Sequence, residues 1–160
     1  MLFSLLDTTI LSNFAHVQRP ELVRAVLGGA ATTTPTVLAE LRQGEASGYV
    51  PQVDWRWFPV LTLTAGEQAL TADYLAVLEA GEAECLAVVV TRQARFFSDD
   101  LAARRMAQAS RVALSGTIGL LLTLVRRENL TVAEADRLLA AMKQQGYRAP
   151  AVSLRAYLEE

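Results

Sequence analysis

The chain has 160 residues, is 52% hydrophobic and 20% charged, and carries a net charge of −2. With a mean hydropathy of +0.24 and a pI near 5.5, it is too apolar and too weakly charged for intrinsic disorder, and too poor in Gly and Pro for a collagen-like or low-complexity chain. The length fits one domain with a buried core.

A single cysteine, Cys85, and a single histidine, His16, leave no internal disulfide, no ordinary zinc site and little scope for Cys–His or Ser–His–Asp catalysis. The longest apolar stretch, 118–125, is far short of the ~18 residues that a membrane span needs. The apolar start, Met1 to Leu6, has no basic flank and runs into Asp7. A soluble, cytoplasmic protein in a reducing compartment is expected. Of the 15 cationic side chains only Lys143 is lysine. Arginine suits bidentate phosphate contact and stacking on bases, although a GC-rich genome explains the same bias.

Leu2-Phe3-Ser4-Leu5-Leu6 reads as a short buried strand ending at Asp7. Asp7-Thr8-Thr9 supplies capping side chains for a helix carrying Ile10, Leu11 and Phe14. Pro20 opens a second helix, and Gly28-Gly29 stops it. A β-prone stretch at 31–33 leads to Thr34-Pro35, an N-cap with a first-turn proline, and a helix that Gly44 or Gly48 ends. A loop at 49–55 precedes a predicted strand over 56–63. Thr64-Ala65-Gly66-Glu67 is a capping box for a helix over 65–78. Glu79-Ala80-Gly81 reads as a break before a helix from about Glu82 to Thr91 or Gln93. A strand at 94–98, a helix from Asp99-Asp100 to Ala109 and a small strand at 111–113 follow. Ser115-Gly116-Thr117 leads into a helix ending at Arg127. Thr131 to Glu134 is a second capping box, with its helix ending at Gly146, and Pro150 and Ser153 introduce a last short helix. Strands alternating with helices predict an α/β fold with a mainly parallel sheet and no internal linker.

In such sheets, sites form beyond the carboxyl ends of the strands. Asp7 follows the first predicted strand, and Asp99 and Asp100 follow the strand with Phe96-Phe97. Glu40 lies on or beside the apolar side of its helix, and Glu82 and Glu84 sit at a helix start. Each has an ordinary explanation: Asp7 and one of the aspartate pair as caps, Glu82 and Glu84 as helix-dipole partners, and Glu40 as a boundary residue. Taken together they predict a cluster. Glu82 and Glu84 are two positions apart, so one of them faces it. Converging carboxylates without Cys or His select Mg²⁺ or Mn²⁺, ions that act on phosphate esters.

Several segments, in order, resemble the motifs of the PIN-domain family. They are Leu5-Leu6-Asp7-Thr8-Thr9, Thr34-Pro35-Thr36-Val37-Leu38-Ala39-Glu40-Leu41, Gly81-Glu82-Ala83-Glu84 and Phe97-Ser98-Asp99-Asp100. A further segment, Ser115-Gly116-Thr117-Ile118-Gly119-Leu120, resembles one found in an uncharacterised bacterial and archaeal PIN-like subgroup. The resemblance implies a three-layer α/β/α domain spanning 1–160, with a helical C-terminal extension from about 131. It implies Mg²⁺- or Mn²⁺-dependent cleavage of single-stranded RNA, and for many small bacterial members a toxin role, an antitoxin partner and a homodimer. The implied metal ligands are Asp7, Glu40, Glu82 and Asp99, with Glu84 and Asp100 as neighbouring alternatives. Thr8 or Thr117 is implied to hydrogen-bond a water or phosphate. Arg95, Arg104 and Arg105 are candidates for the RNA backbone.

Two other acid-rich folds fit poorly. A receiver-like phosphoacceptor needs a lysine near the site and its acid pair after the first strand, and a dehalogenase-type phosphatase needs an aspartate where Thr9 stands. The alternative of another class is a PIN-like module that binds RNA or protein without cutting. The Trp55–Trp57 pair is expected to divide, with Trp57 in the core and Trp55 at a partner surface.

Overall fold

A computed structural model describes residues 3–150 and 153–159. Four parallel strands form one sheet in the order β2-β1-β3-β4: β1 is Ser4–Leu6, β2 Ala31–Thr32, β3 Arg95–Phe97 and β4 Leu114–Ser115. Leu2, expected in the first strand, lies outside the described residues. All three β1 residues are buried, as a strand covered on both faces requires.

The helices are α1 (Thr8–His16), α2 (Glu21–Leu27), α3 (Pro35–Ala46), α4 (Ala65–Tyr74), α5 (Ala80–Arg92), α6 (Leu101–Ala109), α7 (Thr117–Arg126), α8 (Val132–Gln144) and α9 (Arg155–Leu158). The chain steps from β1 outward to β2, then back across β1 to β3 and on to β4. Right-handed crossovers put the helices of opposite steps on opposite faces. The packing follows: α2 and α8 meet α7 and α8 meets α1, while α5 meets α3, α4 and α6. The result is a three-layer α/β/α domain. Leu5, Leu6, Ile10, Phe14, Leu86, Phe96 and Leu121 are buried within its core. Each such side chain contributes about 1.5–3 kcal/mol of transfer free energy.

Local signals explain most boundaries. The Asp7 side chain caps α1, and Thr34 caps α3 with Pro35 in the first turn. Both Thr capping boxes form, at Thr64 with Glu67 and at Thr131 with Glu134. Gly28 ends α2 at φ +60°.

Several expectations fail for identifiable reasons. Residues 56–63 form no strand. Pro59 and Leu61 bond to Thr33 on either side of a single Thr33–Val60 bridge, so the segment only borders β2. The small strand is Leu114–Ser115 rather than 111–113, because Phe96 and Phe97 pair with those two residues. Helix α4 stops at Tyr74, short of Leu78. Helix α5 begins at Ala80, so Gly81 lies within its first turn instead of breaking the chain. Of the two glycines offered as the end of the third helix, Gly44 lies inside α3, and it is the left-handed Gly48, just after the Ser47 cap, that stands at its end. Trp55, expected at a partner surface, is buried at 9% exposure, whereas Trp57 packs half-buried against the core with Arg24 over its ring. Among the described residues no helix is long and apolar enough to cross a membrane.

Candidate active site

The sheet order changes direction between β1 and β3, and ligand sites in open parallel sheets form at that point. Asp7 leaves the end of β1 and its amide bonds the Phe97 carbonyl of β3 at 3.1 Å. Its carboxylate is 1% exposed. One oxygen accepts from the Thr9 amide at 3.0 Å and the Thr9 hydroxyl, and the other accepts from the Ser98 hydroxyl. Burial, reinforced by the charge of Asp99, pushes the Asp7 carboxyl up to about 7 against those hydrogen bonds.

Asp99 stands beyond β3. Its oxygens accept from the Thr117 amide at 3.0 Å, the Thr117 hydroxyl, Asn13 Nδ2 at 3.0 Å and the Tyr147 hydroxyl at 3.4 Å. Burial raises its pKa, and Thr117 and Arg104 pull the other way. Gly116 is required here, because a Cβ would overlap the Asp99 carboxylate. Thr9 joins the two strand ends, since its hydroxyl donates to Asp7 and accepts from the Asp99 amide at 2.9 Å.

Glu40 reaches in from α3. It accepts from the Thr8 hydroxyl and from the Gly81 amide at 2.9 Å. A Cβ on Gly81 would lie 2.5 and 2.8 Å from the Glu40 oxygens, so the missing side chain makes room for the carboxylate. Glu82 bonds back to the Glu79 amide at 3.4 Å. Burial, then the charges of Asp100 and Asp7, push its carboxyl up to about 7.

A cleft of about 220 Å³ is lined by Asp7, Thr8, Thr9, Ser12, Glu40, Glu79 and Glu82. The structure therefore brings Asp7, Glu40 and Glu82 to one cavity with Asp99 behind Asp7. Glu84 faces elsewhere. It holds the start of α3 through the Thr36 amide at 3.0 Å and the Thr36 hydroxyl at 2.6 Å. Asp100 caps α6 through the Ala103 amide. Thr8 and Thr117 donate to the acids themselves.

The arginines are separated as well. Arg95 begins β3 and bonds Ser4 at the start of β1, the end of the sheet opposite the acids. Arg104 bonds the carbonyls of Ser98 and Ser115, tying β3 to β4 beneath Asp99. Arg105 is exposed on α6.

Sequence reasoning missed Glu79, Ser98, Asn13 and Tyr147. An asparagine close to the apolar Ile10, Leu11, Phe14 and Ala15 of α1 was the available signal for Asn13, which is 8% exposed. Nothing in sequence spacing points from Tyr147 to Asp99.

Among the described residues, no three His, Cys, Asp or Glu side chains stand in ready metal-ligand geometry. Their oxygens are engaged instead by the hydroxyl and amide donors just named. The chemistry of the set nevertheless fits a hard divalent cation. The donors are all oxygen, and burial, with neighbouring carboxylates second, pushes the Asp7 and Glu82 carboxyls up, a cost that a bound cation would relieve.

No curated protein and no solved structure matches the chain. A family model described as a PIN domain matches residues 4–160. That match runs through every acid-bearing segment and the whole parallel sheet, and with it the chain belongs to the PIN-domain family, whose fold is of nuclease type.

Proposed function

We propose that this protein is a Mg²⁺- or Mn²⁺-dependent endoribonuclease that hydrolyses phosphodiester bonds in single-stranded RNA. The observation that carries the reading is the meeting of Asp7, Glu40 and Glu82, from three separate elements, around one cleft, with Asp99 bonded into the same network. Burial first, and neighbouring carboxylates second, push the Asp7 and Glu82 carboxyls up, which isolated caps and dipole partners do not show.

Asp7, Glu40, Glu82 and Asp99 would hold the ion, with Asp100 and Glu79 at the periphery. Bound there, it supplies charge neutralisation at the phosphoryl oxygen and a water acidic enough to attack at neutral pH. The chain's other residues fix the acids. Ser98 and Thr9 orient Asp7, Thr117 and Asn13 orient Asp99, and Thr8 with the Gly81 amide orients Glu40. Arg105 is free to meet a phosphate in a way that Arg104, committed to two carbonyls, is not.

The deciding experiment compares wild type with Asp7→Asn on a labelled single-stranded RNA pool, with chelator, Mg²⁺ or Mn²⁺. Cation-dependent cutting that disappears in the variant supports the reading. Equal cutting by both refutes the assignment of the site. No cutting by either, with no cation bound in calorimetry, favours a PIN-like module that binds without cleaving. The role that accompanies the reading is the toxin of a toxin–antitoxin pair acting in the cytoplasm as a homodimer. Growth arrest on induction and sedimentation of the purified chain test those two points.

A further inference from the structure

The proposed nuclease reading leaves one feature near the cleft without a task. Thr8, Ser12 and His16 recur every four residues, so they share one face of α1. Thr8 bonds Glu40 of α3, Ser12 lines the acidic cleft, and His16 packs against Tyr49 just beyond α3. The seam between α1 and α3 therefore starts at the acids and ends at an aromatic pair. The His16 and Tyr49 rings are 5.8 Å apart and cross at 82°. Tyr49 is nevertheless 69% exposed. A tyrosine held in place by one edge-to-face contact and otherwise open to water contributes little to the core.

We propose that Tyr49, braced by His16, is a base-stacking subsite for the single-stranded RNA whose scissile phosphate lies in the acidic cleft. The occupant follows from continuity with that cleft and from the spacing. At 1.5 Å per residue, Thr8 and His16 are about 12 Å apart along α1. That is the length of three to four nucleotides at a stacked spacing of about 3.4 Å. An exposed aromatic tolerates any base, because every base presents a flat apolar face, and it carries no negative charge to repel the strand. Tyr49 thus offers grip at a distance from the acids, where the strand's phosphates meet repulsion until the cation is in place.

The test measures binding separately from cutting. Fluorescently labelled single-stranded RNA is titrated into wild type, Tyr49→Ala, Tyr49→Phe and Tyr49→Trp, in Ca²⁺ to hold the strand uncut. Tyr49→Ala is expected to weaken binding between about 5- and 150-fold, the range for loss of one base stack. Tyr49→Phe and Tyr49→Trp are expected to retain it. In Mn²⁺, KM for cleavage rises in Tyr49→Ala while kcat changes little. An abasic nucleotide three to four positions from the cut weakens the wild type but not Tyr49→Ala. Wild-type affinity in Tyr49→Ala, with cleavage intact, overturns the subsite and leaves the nuclease standing. Absence of any RNA binding or cleavage by wild type overturns both.

Discussion

Replacing Asp7 by Asn is expected to stabilise the cation-free protein while abolishing its activity. In an unfolded chain an aspartate ionises near pH 3.9, whereas folded Asp7 holds its proton up to about 7. The folded state thus binds the proton more tightly. The stability that this group contributes is full below about pH 4, declines as pH rises between about 4 and 7, and stays low above. At 1.36 kcal/mol per pH unit, the interval from 3.8 to about 7 corresponds to about 4 kcal/mol. Asparagine has no such proton. It still caps α1, because its amide oxygen accepts from Thr9 and Ile10 as the carboxylate does. Its amide keeps a desolvation cost of its own, so the net gain at pH 8 in chelator is about 2–4 kcal/mol. For a chain of this length that is a rise in Tm on the order of 10 °C. The assay is thermal and urea unfolding of both proteins at pH 4 and pH 8, in chelator and in Mn²⁺. The gap should be large at pH 8, close at pH 4, and shrink at pH 8 when Mn²⁺ stabilises wild type by mass action. A variant no more stable than wild type at pH 8, or an equal gap at both pH values, would refute the account of Asp7 as a crowded, desolvated charge.

Gly81→Ala, in the first turn of α5, places a methyl against the Glu40 carboxylate. The end of a glutamate side chain moves easily, so stability should change by less than about 1 kcal/mol, the helix preference for alanine offsetting the contact. Mn²⁺ affinity by calorimetry should fall about tenfold or more. Tyr147→Phe removes one donor to Asp99. Mn²⁺ should bind about tenfold more weakly with Tm nearly unchanged, the lower end for loss of a group that orients a ligand. Glu67→Gln tests the opposite case. Glu67 is fully buried and bonded to Arg92, and although burial acts upward, the Arg92 and Thr64 hydrogen bonds hold its carboxyl below the ordinary value. Urea unfolding should show a loss of about 2–3 kcal/mol, since the Arg92 partner is a third exposed and partly screened. Mn²⁺ affinity should not move. Because the folded pKa is depressed, the Glu67 contribution is present at neutral pH and lost on acidification below the ordinary glutamate range.

The helices were legible where local chemistry alone decides them. Thr34-Pro35, Thr64 with Glu67 and Thr131 with Glu134 act within one turn, and each starts a helix where the pattern places it. Residues 56–63 misled because they are rich in aromatic and β-branched side chains, as strands are, while their position at the border of β2 allows only one bridge. Gly81 misled for a related reason. Glycine usually ends a helix, but here it stands within one because a carboxylate from α3 needs the space. Both reasons lie in another part of the chain. The candidate acids were legible because strand ends converge in any parallel sheet. Which of two neighbours faces the cleft was not, since the Thr36 contacts that turn Glu84 away depend on how α3 packs against α5. Tyr147 reaches Asp99 across 48 positions, a distance that no local pattern encodes.

The pairing of β1 with β3, residue 4 against residue 95, also sets when the site comes into being. During synthesis Asp7 emerges early but has neither the Phe97 carbonyl nor the Ser98 hydroxyl to hold it until that strand has left the ribosome. Asp99 then waits for Thr117 and finally Tyr147. At 5–20 residues per second, the interval between translating Asp7 and translating Tyr147 is on the order of ten seconds. A nascent or prematurely ended chain therefore carries the acids without the architecture that gathers them. Under the nuclease reading, the ribosome and the message it is reading are spared by the enzyme they are producing until the segment carrying Tyr147 has emerged.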